Sequence, residues 1–135
     1  MTTIKNPTIC VVDDDEIYQF VIKSQLESRK LARKILMFSD GELAIDFFKT
    51  VVDNADELPD LVLLDLNMPI MDGWEFLDEF IMLKPKLPKK VTIYVVTSSI
   101  NQTDIDRAKR ISEVTDYIVK PINEETLMDM LLKLS

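Results

Sequence analysis

Short apolar runs alternate with longer amphipathic segments along the chain, and this alternation restricts the fold more than any other feature. The runs are rich in Val, Ile and Leu, as strands buried on both faces are, and they lie at residues 8–12, 34–38, 61–64, 91–96 and 117–119. Each run is followed by a segment with helical periodicity. Five strands that are each followed by a helix indicate a doubly wound α/β domain, in which helices cover both faces of a five-stranded parallel sheet.

The predicted helices carry apolar residues three and four positions apart, which is the spacing of one helix face. These residues are Ile17, Phe20 and Val21; Leu43, Phe47 and Val51; Phe76, Leu77, Phe80 and Ile81; Ile105, Ala108 and Ile111; and Leu127, Met130 and Leu131. The segment from Ser39 to Glu42 has a capping-box pattern, and Asn101 and Asn123 are expected to cap the fourth and fifth helices.

Length and composition restrict the class of protein. A chain of 135 residues is the size of one domain, so a single domain over 1–135 with no output module is expected. A net charge of −8 argues against nucleic-acid binding, and no apolar run approaches the ~20 residues of a membrane span. The N-terminus has no export signal and Cys10 is the only cysteine, so a cytoplasmic protein is expected.

The absence of histidine from the sequence narrows the chemistry. A chain with no histidine cannot form a Ser-His-Asp triad, a histidine zinc site or a phosphohistidine, and a single cysteine cannot form a thiolate metal cluster. Carboxylates, hydroxyls, lysines and a hard metal ion are left to carry any reaction.

Polar residues of the types that bind ligands or react follow the predicted strands. Asp13 and Asp14 follow the first strand and Asp65 the third, while Thr97 and Lys120 follow the fourth and fifth. Ligands of open α/β sheets bind outside the carboxyl ends of the strands, so these residues are expected to converge at one edge.

The stretch "VVDDDE" admits two interpretations. A run of acids is commonly a solvated turn, and Asp15 and Glu16 can be simple helix-start acids that interact with the helix dipole. Carboxylates that converge from separate strands, however, repel one another unless a cation compensates them. A site made of carboxylate oxygens favours Mg²⁺ or Mn²⁺, with Lys120 supplying further positive charge.

The motifs "VVDDDE", "LLDLNMPIMDGWEFL", "VVTSS" and "DYIVKP" together resemble the receiver domains of bacterial two-component response regulators, the family of the chemotaxis regulator CheY. The resemblance covers essentially the whole chain. It implies a flavodoxin-like fold with sheet order 2-1-3-4-5 and Asp65 as the phosphoryl acceptor. It also implies that Asp14, Asp65 and the Asn67 carbonyl hold Mg²⁺, and that Asp13 acts through a coordinated water.

The same resemblance assigns roles around the acceptor. Thr97, with Ser98 beside it, and Lys120 are expected to contact phosphoryl oxygens, and Tyr117 corresponds to the aromatic switch position. Four residues are expected to shape the site: Pro69 and Gly73 in the loop after strand three, Asp72 as a helix cap, and Pro121, whose bond to Lys120 is cis in the family.

The function implied is that of a stand-alone receiver. A histidine kinase or a histidine phosphotransfer protein would donate the phosphoryl group, and the altered surface would signal to an unidentified downstream protein or pass the group on. Such a chain catalyses only its own phosphorylation and dephosphorylation, and is expected to be a monomer or weak dimer without nucleic-acid or membrane partners. Long connections before strands three and four, and the residues Asn67 and Ser99, leave the phosphoryl lifetime open.

Two other classes share parts of this pattern. A haloacid-dehalogenase-like phosphatase uses an aspartyl nucleophile with Mg²⁺, but it needs a second acid two residues later, where this chain has Asn67. A flavodoxin-like FMN carrier has the same sheet, but the acids Asp13, Asp14 and Asp15 would repel the phosphate of FMN.

Overall fold

One parallel sheet organises residues 6–134, the part of the chain described by the computed structural model. The strands are β1 (Thr8–Val12), β2 (Lys34–Phe38), β3 (Leu61–Leu64), β4 (Thr92–Thr97) and β5 (Val114–Val119). Their order is β2-β1-β3-β4-β5, with every neighbouring pair parallel. This confirms the predicted fold class and strand order, while residues 1–5 and 135 of the predicted domain lie outside the described part.

Five helices connect the strands: α1 (Glu16–Ser28), α2 (Gly41–Thr50), α3 (Gly73–Leu83), α4 (Gln102–Lys109) and α5 (Glu124–Leu132). A short 3₁₀ turn, Lys84–Lys86, follows α3. No helix among residues 6–134 has the length and apolarity needed to cross a membrane.

The alternation of side chains along each strand builds two apolar cores. On one face, Ile9 and Val11 of β1 pack with residues of α1 and α5, including Ile22 and Leu127. On the other face, the intervening β1 residues Cys10 and Val12 pack with α2 and α3, where four phenylalanine rings form edge-to-face and stacked pairs: Phe47, Phe48, Phe76 and Phe80. Both faces of the sheet are therefore covered, as a doubly wound fold requires.

The edge strands differ from the prediction of full burial. All five residues of β1 and all four of β3 are buried, but β2 and β5 have no buried residue. Each edge strand has only one neighbouring strand, so polar residues such as Asp116 are tolerated there. The same polar residues interrupt the apolar pattern, which explains why β5 begins at Val114 rather than at the predicted residue 117.

The predicted apolar stripe of α1 was wrong. Ile17, Phe20 and Val21 are exposed, and the helix turns Ile22 and Leu26 toward the core instead. Periodicity alone left two overlapping stripes on this helix, and packing against the sheet selected the second.

The helix caps agree with the prediction at three positions and differ at one. Asn101 and Asn123 accept from backbone N–H groups of α4 and α5, and Asp72 forms a reciprocal capping box with Glu75. In α2, however, the cap is Asp40, which accepts from Leu43 N–H, so the box predicted from Ser39 to Glu42 does not form.

Candidate functional site

The site lies where the winding of the sheet changes direction, between β1 and β3. Backbone hydrogen bonds extend the sheet one residue past its strands: Asp13 N–H donates to Phe38 O at 2.9 Å and Asp65 N–H to Val12 O at 2.9 Å. Lys120 N–H similarly donates to Thr97 O at 2.8 Å. These bonds fix the first residue after each strand, so their side chains project at one edge.

Three carboxylates meet at this edge. Oxygen atoms of Asp13, Asp14 and Asp65 all lie within 4.8 Å of one another. Asp13 and Asp65 are 1 % and 6 % exposed, whereas Asp14 is exposed. The cluster is therefore closed toward the sheet and open toward solvent.

The Lys120 ammonium lies against the same cluster. Its Nζ is 2.6 Å from Asp13 Oδ2 and 3.6 Å from Asp65 Oδ2. Burial lowers the pKa of Lys120, but the contact with Asp13 and the charge of Asp65 outweigh it, and the pKa is raised overall. The ammonium thus stays charged, and the peptide bond that follows it, Lys120-Pro121, is cis.

Asp13 is the most constrained acid of the three. Its Oδ1 accepts from Asp15 N–H at 2.9 Å, while the buried Oδ2 pairs with the Lys120 ammonium. Burial raises the pKa of Asp13 and the charge of Asp65 adds to that rise, against the lowering effect of Lys120 and the Asp15 N–H. One lysine therefore compensates the cluster incompletely.

The loop after β3 packs tightly beneath Asp65. Asp65 Oδ1 accepts from its neighbour Leu66 N–H at 2.8 Å, and Gly73 N–H donates to Leu66 O at 3.0 Å. A Cβ atom on Gly73 would overlap the Asp65 carbonyl oxygen and lie 2.8 Å from Leu66 Cα, so only glycine permits this approach of α3. Ile70, in the same loop, has a φ of 69°, an unfavourable conformation for a β-branched residue.

Asn67 and Pro69 lie on the outer side of that loop. Both side chains are exposed, and Asn67 comes two residues after Asp65. The loop is therefore close to the cluster in sequence and fold, while the role of the Asn67 carbonyl as a metal ligand stays a prediction.

The end of β4 is linked to β5 and α4 through Ser99. Thr97 is fully buried and its hydroxyl accepts from Ser99 N–H at 3.3 Å, while Ser98 is exposed. The Tyr117 hydroxyl donates to Ser99 O at 2.9 Å, and Ser99 Oγ donates to Asp104 of α4 at 2.9 Å. A change at Thr97 can therefore be transmitted to both neighbouring elements.

The model of the response regulator receiver domain matches residues 9–132, nearly the whole chain. The chain belongs to the response regulator receiver domain family. This agrees with the resemblance in the motifs and with the strand order of the sheet.

Relatives of this receiver include short and long proteins. Response regulator Rcp1 of Synechocystis is 29 % identical over 133 residues, covering 96 % of this chain and 88 % of that protein. Sensor histidine kinase CheAY of Helicobacter pylori is 31 % identical over 119 residues, which cover 88 % of this chain but 14 % of the kinase. Receivers similar to this chain thus occur both as a short response regulator and within a sensor histidine kinase.

Two solved structures share the fold of this receiver. The phosphorylated cyanobacterial phytochrome response regulator RcpA is 31 % identical, with a TM-score of 0.74 over 93 % of this chain and 89 % of that one. The Mn²⁺-bound form of response regulator Rcp1 is 28 % identical, with a TM-score of 0.72 and the same coverage.

The receiver's acidic cluster fits a divalent cation. Three carboxylates supply hard oxygen ligands, and the single ammonium of Lys120 balances only one of their three negative charges. Asp14, the exposed member, leaves the cluster accessible from solvent.

Sequence reasoning missed three contacts of the receiver site. The Tyr18 ring faces Lys120, with Nζ 4.4 Å from the ring centroid, and the Gln19 side-chain amide donates to the Asp13 carbonyl. Arg107 of α4 lies over the ring of Trp74, 4.2 Å from its centroid. Tyr18 and Gln19 follow the acids by about one helical turn, so their spacing was an available signal, whereas the Arg107 contact depends on how α3 and α4 pack.

Proposed function

We propose that this receiver accepts a phosphoryl group on Asp65 in a Mg²⁺-dependent reaction and signals by phosphorylation-dependent binding to another protein. The observation that supports this best is the convergence of Asp13, Asp14 and Asp65 with Lys120 at the edge of β1 and β3. Carboxylates alone would repel an incoming phosphoryl group. The positive charges of the lysine and of a bound cation would make the electrostatic interaction attractive.

The reaction is an in-line transfer. A carboxylate oxygen of Asp65 attacks phosphorus as the phosphorus–nitrogen bond of a donor phosphohistidine breaks. The electron pair of that bond stays on the ring nitrogen, and the imidazole leaves neutral because its other ring nitrogen carries a proton. Bound Mg²⁺ supplies charge neutralisation of the transferring group. Asp13, Asp14, Asp65 and the Asn67 carbonyl would hold the ion, and Lys120 would pair with a phosphoryl oxygen as a compact point charge.

The signalling step begins at Thr97. A phosphoryl group on Asp65 presents new acceptor oxygens to which the Thr97 hydroxyl can donate, with Ser98 beside it. Moving that hydroxyl releases its contact with Ser99, the residue that anchors Tyr117 and α4. The surface of β4, α4, β5 and α5 would then bind its partner differently.

Partners and setting follow from this role. The donor is a histidine kinase or a histidine phosphotransfer protein. The downstream partner is a separate protein that responds to the signal or carries the next histidine of a relay. In this proposal the chain turns over no external substrate and acts in the cytoplasm.

Intact-mass measurement tests the proposal. The chain is incubated with acetyl phosphate or a phosphoramidate in the presence of Mg²⁺ or of a chelator, alongside Asp65→Asn and Asp78→Asn, an exposed acid on α3. Wild type and Asp78→Asn are expected to gain one metal-dependent phosphoryl group, and Asp65→Asn none. Equal labelling of the two Asn variants would remove Asp65 from its role.

A further inference from the structure

The Tyr18 ring forms one wall of the space that holds the Lys120 ammonium. Nζ of Lys120 lies 4.4 Å from the centroid of the ring, within the range in which the negative face of a tyrosine attracts a cation. The ring also packs against the core between α1 and the sheet. Its place is therefore set by packing, independently of the lysine.

The other walls of this space are carboxylates. Asp13 Oδ2 lies 2.6 Å from Nζ and Asp65 Oδ2 3.6 Å from it. Two acids that follow neighbouring strands attract the flexible lysine side chain without fixing its direction of approach. The ring restricts the remaining side, so the ammonium is held facing both acids.

The Tyr18 hydroxyl does not explain why an aromatic residue stands here. It is buried and makes no hydrogen bond within the described residues. Burial raises the pKa of Tyr18 and the charges of Asp13 and Asp65 raise it further, so the hydroxyl stays neutral. Tyr18→Phe consequently removes no hydrogen bond and keeps the ring, which makes it a conservative variant.

We infer that Tyr18 is the positioning residue for Lys120: its ring holds the ammonium between Asp13 and Asp65, ready for an arriving phosphoryl oxygen. Only this last step rests on the proposed function. The ring contact itself is a property of the chain without metal or phosphate.

The first test measures the order of the Lys120 side chain. Relaxation of its ¹³C methylene groups is compared in metal-free wild type, Tyr18→Phe, Tyr18→Leu and Tyr94→Leu, the last of which removes a buried ring from the same core. We expect the Lys120 order parameter to fall in Tyr18→Leu and to be retained in the other three proteins. A Lys120 that is equally ordered in Tyr18→Leu, or equally disordered in Tyr94→Leu, would overturn the inference.

The second test measures phosphorylation by a small phosphodonor at saturating Mg²⁺. Misplacing Lys120 in Tyr18→Leu is expected to slow phosphoryl uptake about tenfold. Tyr18→Phe is expected to stay within about twofold of wild type because the cation–π contact remains. A Tyr18→Phe variant as slow as Tyr18→Leu would assign the effect to the hydroxyl and refute a positioning ring. If wild type takes up no phosphate, the proposed function fails, while the relaxation comparison still decides the role of Tyr18.

Discussion

Lys120 Nζ lies 2.6 Å from Asp13 Oδ2, nearer than it lies to Asp65. The lysine thus pairs chiefly with the most buried acid of the cluster, yet the pKa of that acid is still raised. The cation and the phosphoryl group proposed for this site would therefore meet a lysine that already has a partner.

Asp13→Asn tests how far the cluster is electrostatically frustrated. Folding raises the pKa of Asp13 above its ordinary 3.8, so between pH 3.8 and the raised pKa the folded state binds more protons than the unfolded state. The free energy of unfolding therefore falls as pH rises through that range. We expect the metal-free variant to be more stable than wild type at pH 7, with the difference shrinking as pH falls below the raised pKa. Urea unfolding across pH in a chelator measures this, and a pH-independent difference would contradict it. Saturating Mg²⁺ should stabilise wild type more than the variant.

Gly73→Ala tests the packing of α3 beneath Asp65. The added methyl group meets the backbone of Asp65 and Leu66, which cannot yield as a flexible side chain would. We expect a loss of about 2–4 kcal/mol in the free energy of unfolding. Phosphoryl uptake by the folded fraction should also slow. Asp78→Ala, on the exposed side of the same helix, serves as the control, and a Gly73→Ala protein of wild-type stability would exclude the steric argument.

Ile70→Asn tests the strained residue of the loop. Asparagine tolerates a positive φ better than a β-branched residue, so the free energy of unfolding should rise by about 1 kcal/mol. Ile100→Asn is the matched control, because Ile100 is similarly exposed at 79 % against 75 % and has no positive φ. Equal responses of the two variants to thermal or urea unfolding would show that exposure, and not φ, decides the result.

The ion pair between Lys84 and Glu113 predicts a small acid-sensitive contribution to stability. Nζ and Oε2 are 3.2 Å apart. Burial raises the pKa of Glu113, but hydrogen bonds from Lys84, from the Glu113 backbone and from Ser112, with the charge of Lys84, outweigh burial and the pKa is lowered. Such a group stabilises the fold above its unfolded value of 4.5, and that contribution disappears as pH falls through the lowered pKa.

Glu113→Gln should therefore cost no more than about 0.5 kcal/mol at pH 7, since Lys84 is largely exposed. The difference from wild type should vanish in acid. A double-mutant cycle with Lys84→Met isolates the pair, and a cost that persists at low pH would assign it to packing.

The sequence predicted the strands of the sheet interior more accurately than its edges or the faces of its helices. β1 and β3 are buried on both sides, so their apolar runs carried an unambiguous signal. β5 is half exposed. The polar residues Thr115 and Asp116 interrupt its apolar pattern, so the sequence did not predict the first half of the strand. In α1, the exposed Ile17, Phe20 and Val21 imitate a core stripe, and only tertiary packing distinguishes them from Ile22 and Leu26.

The site followed from topology, whereas its fine contacts did not. Residues that follow parallel strands must meet at one edge, so the sequence alone predicted that Asp13, Asp65 and Lys120 lie together. The choice of Asp13 as the closer partner of Lys120, and the ring of Tyr18 beside it, depend on side-chain directions that spacing does not encode.

The Arg107 guanidinium covers the ring of Trp74, and Trp74 is the chain's sole indole. That stacked pair joins α3, which begins beneath Asp65, to α4, which Ser99 anchors. The molecule thus carries a native fluorophore across the two helices, and its emission should report their separation in real time without any attached dye.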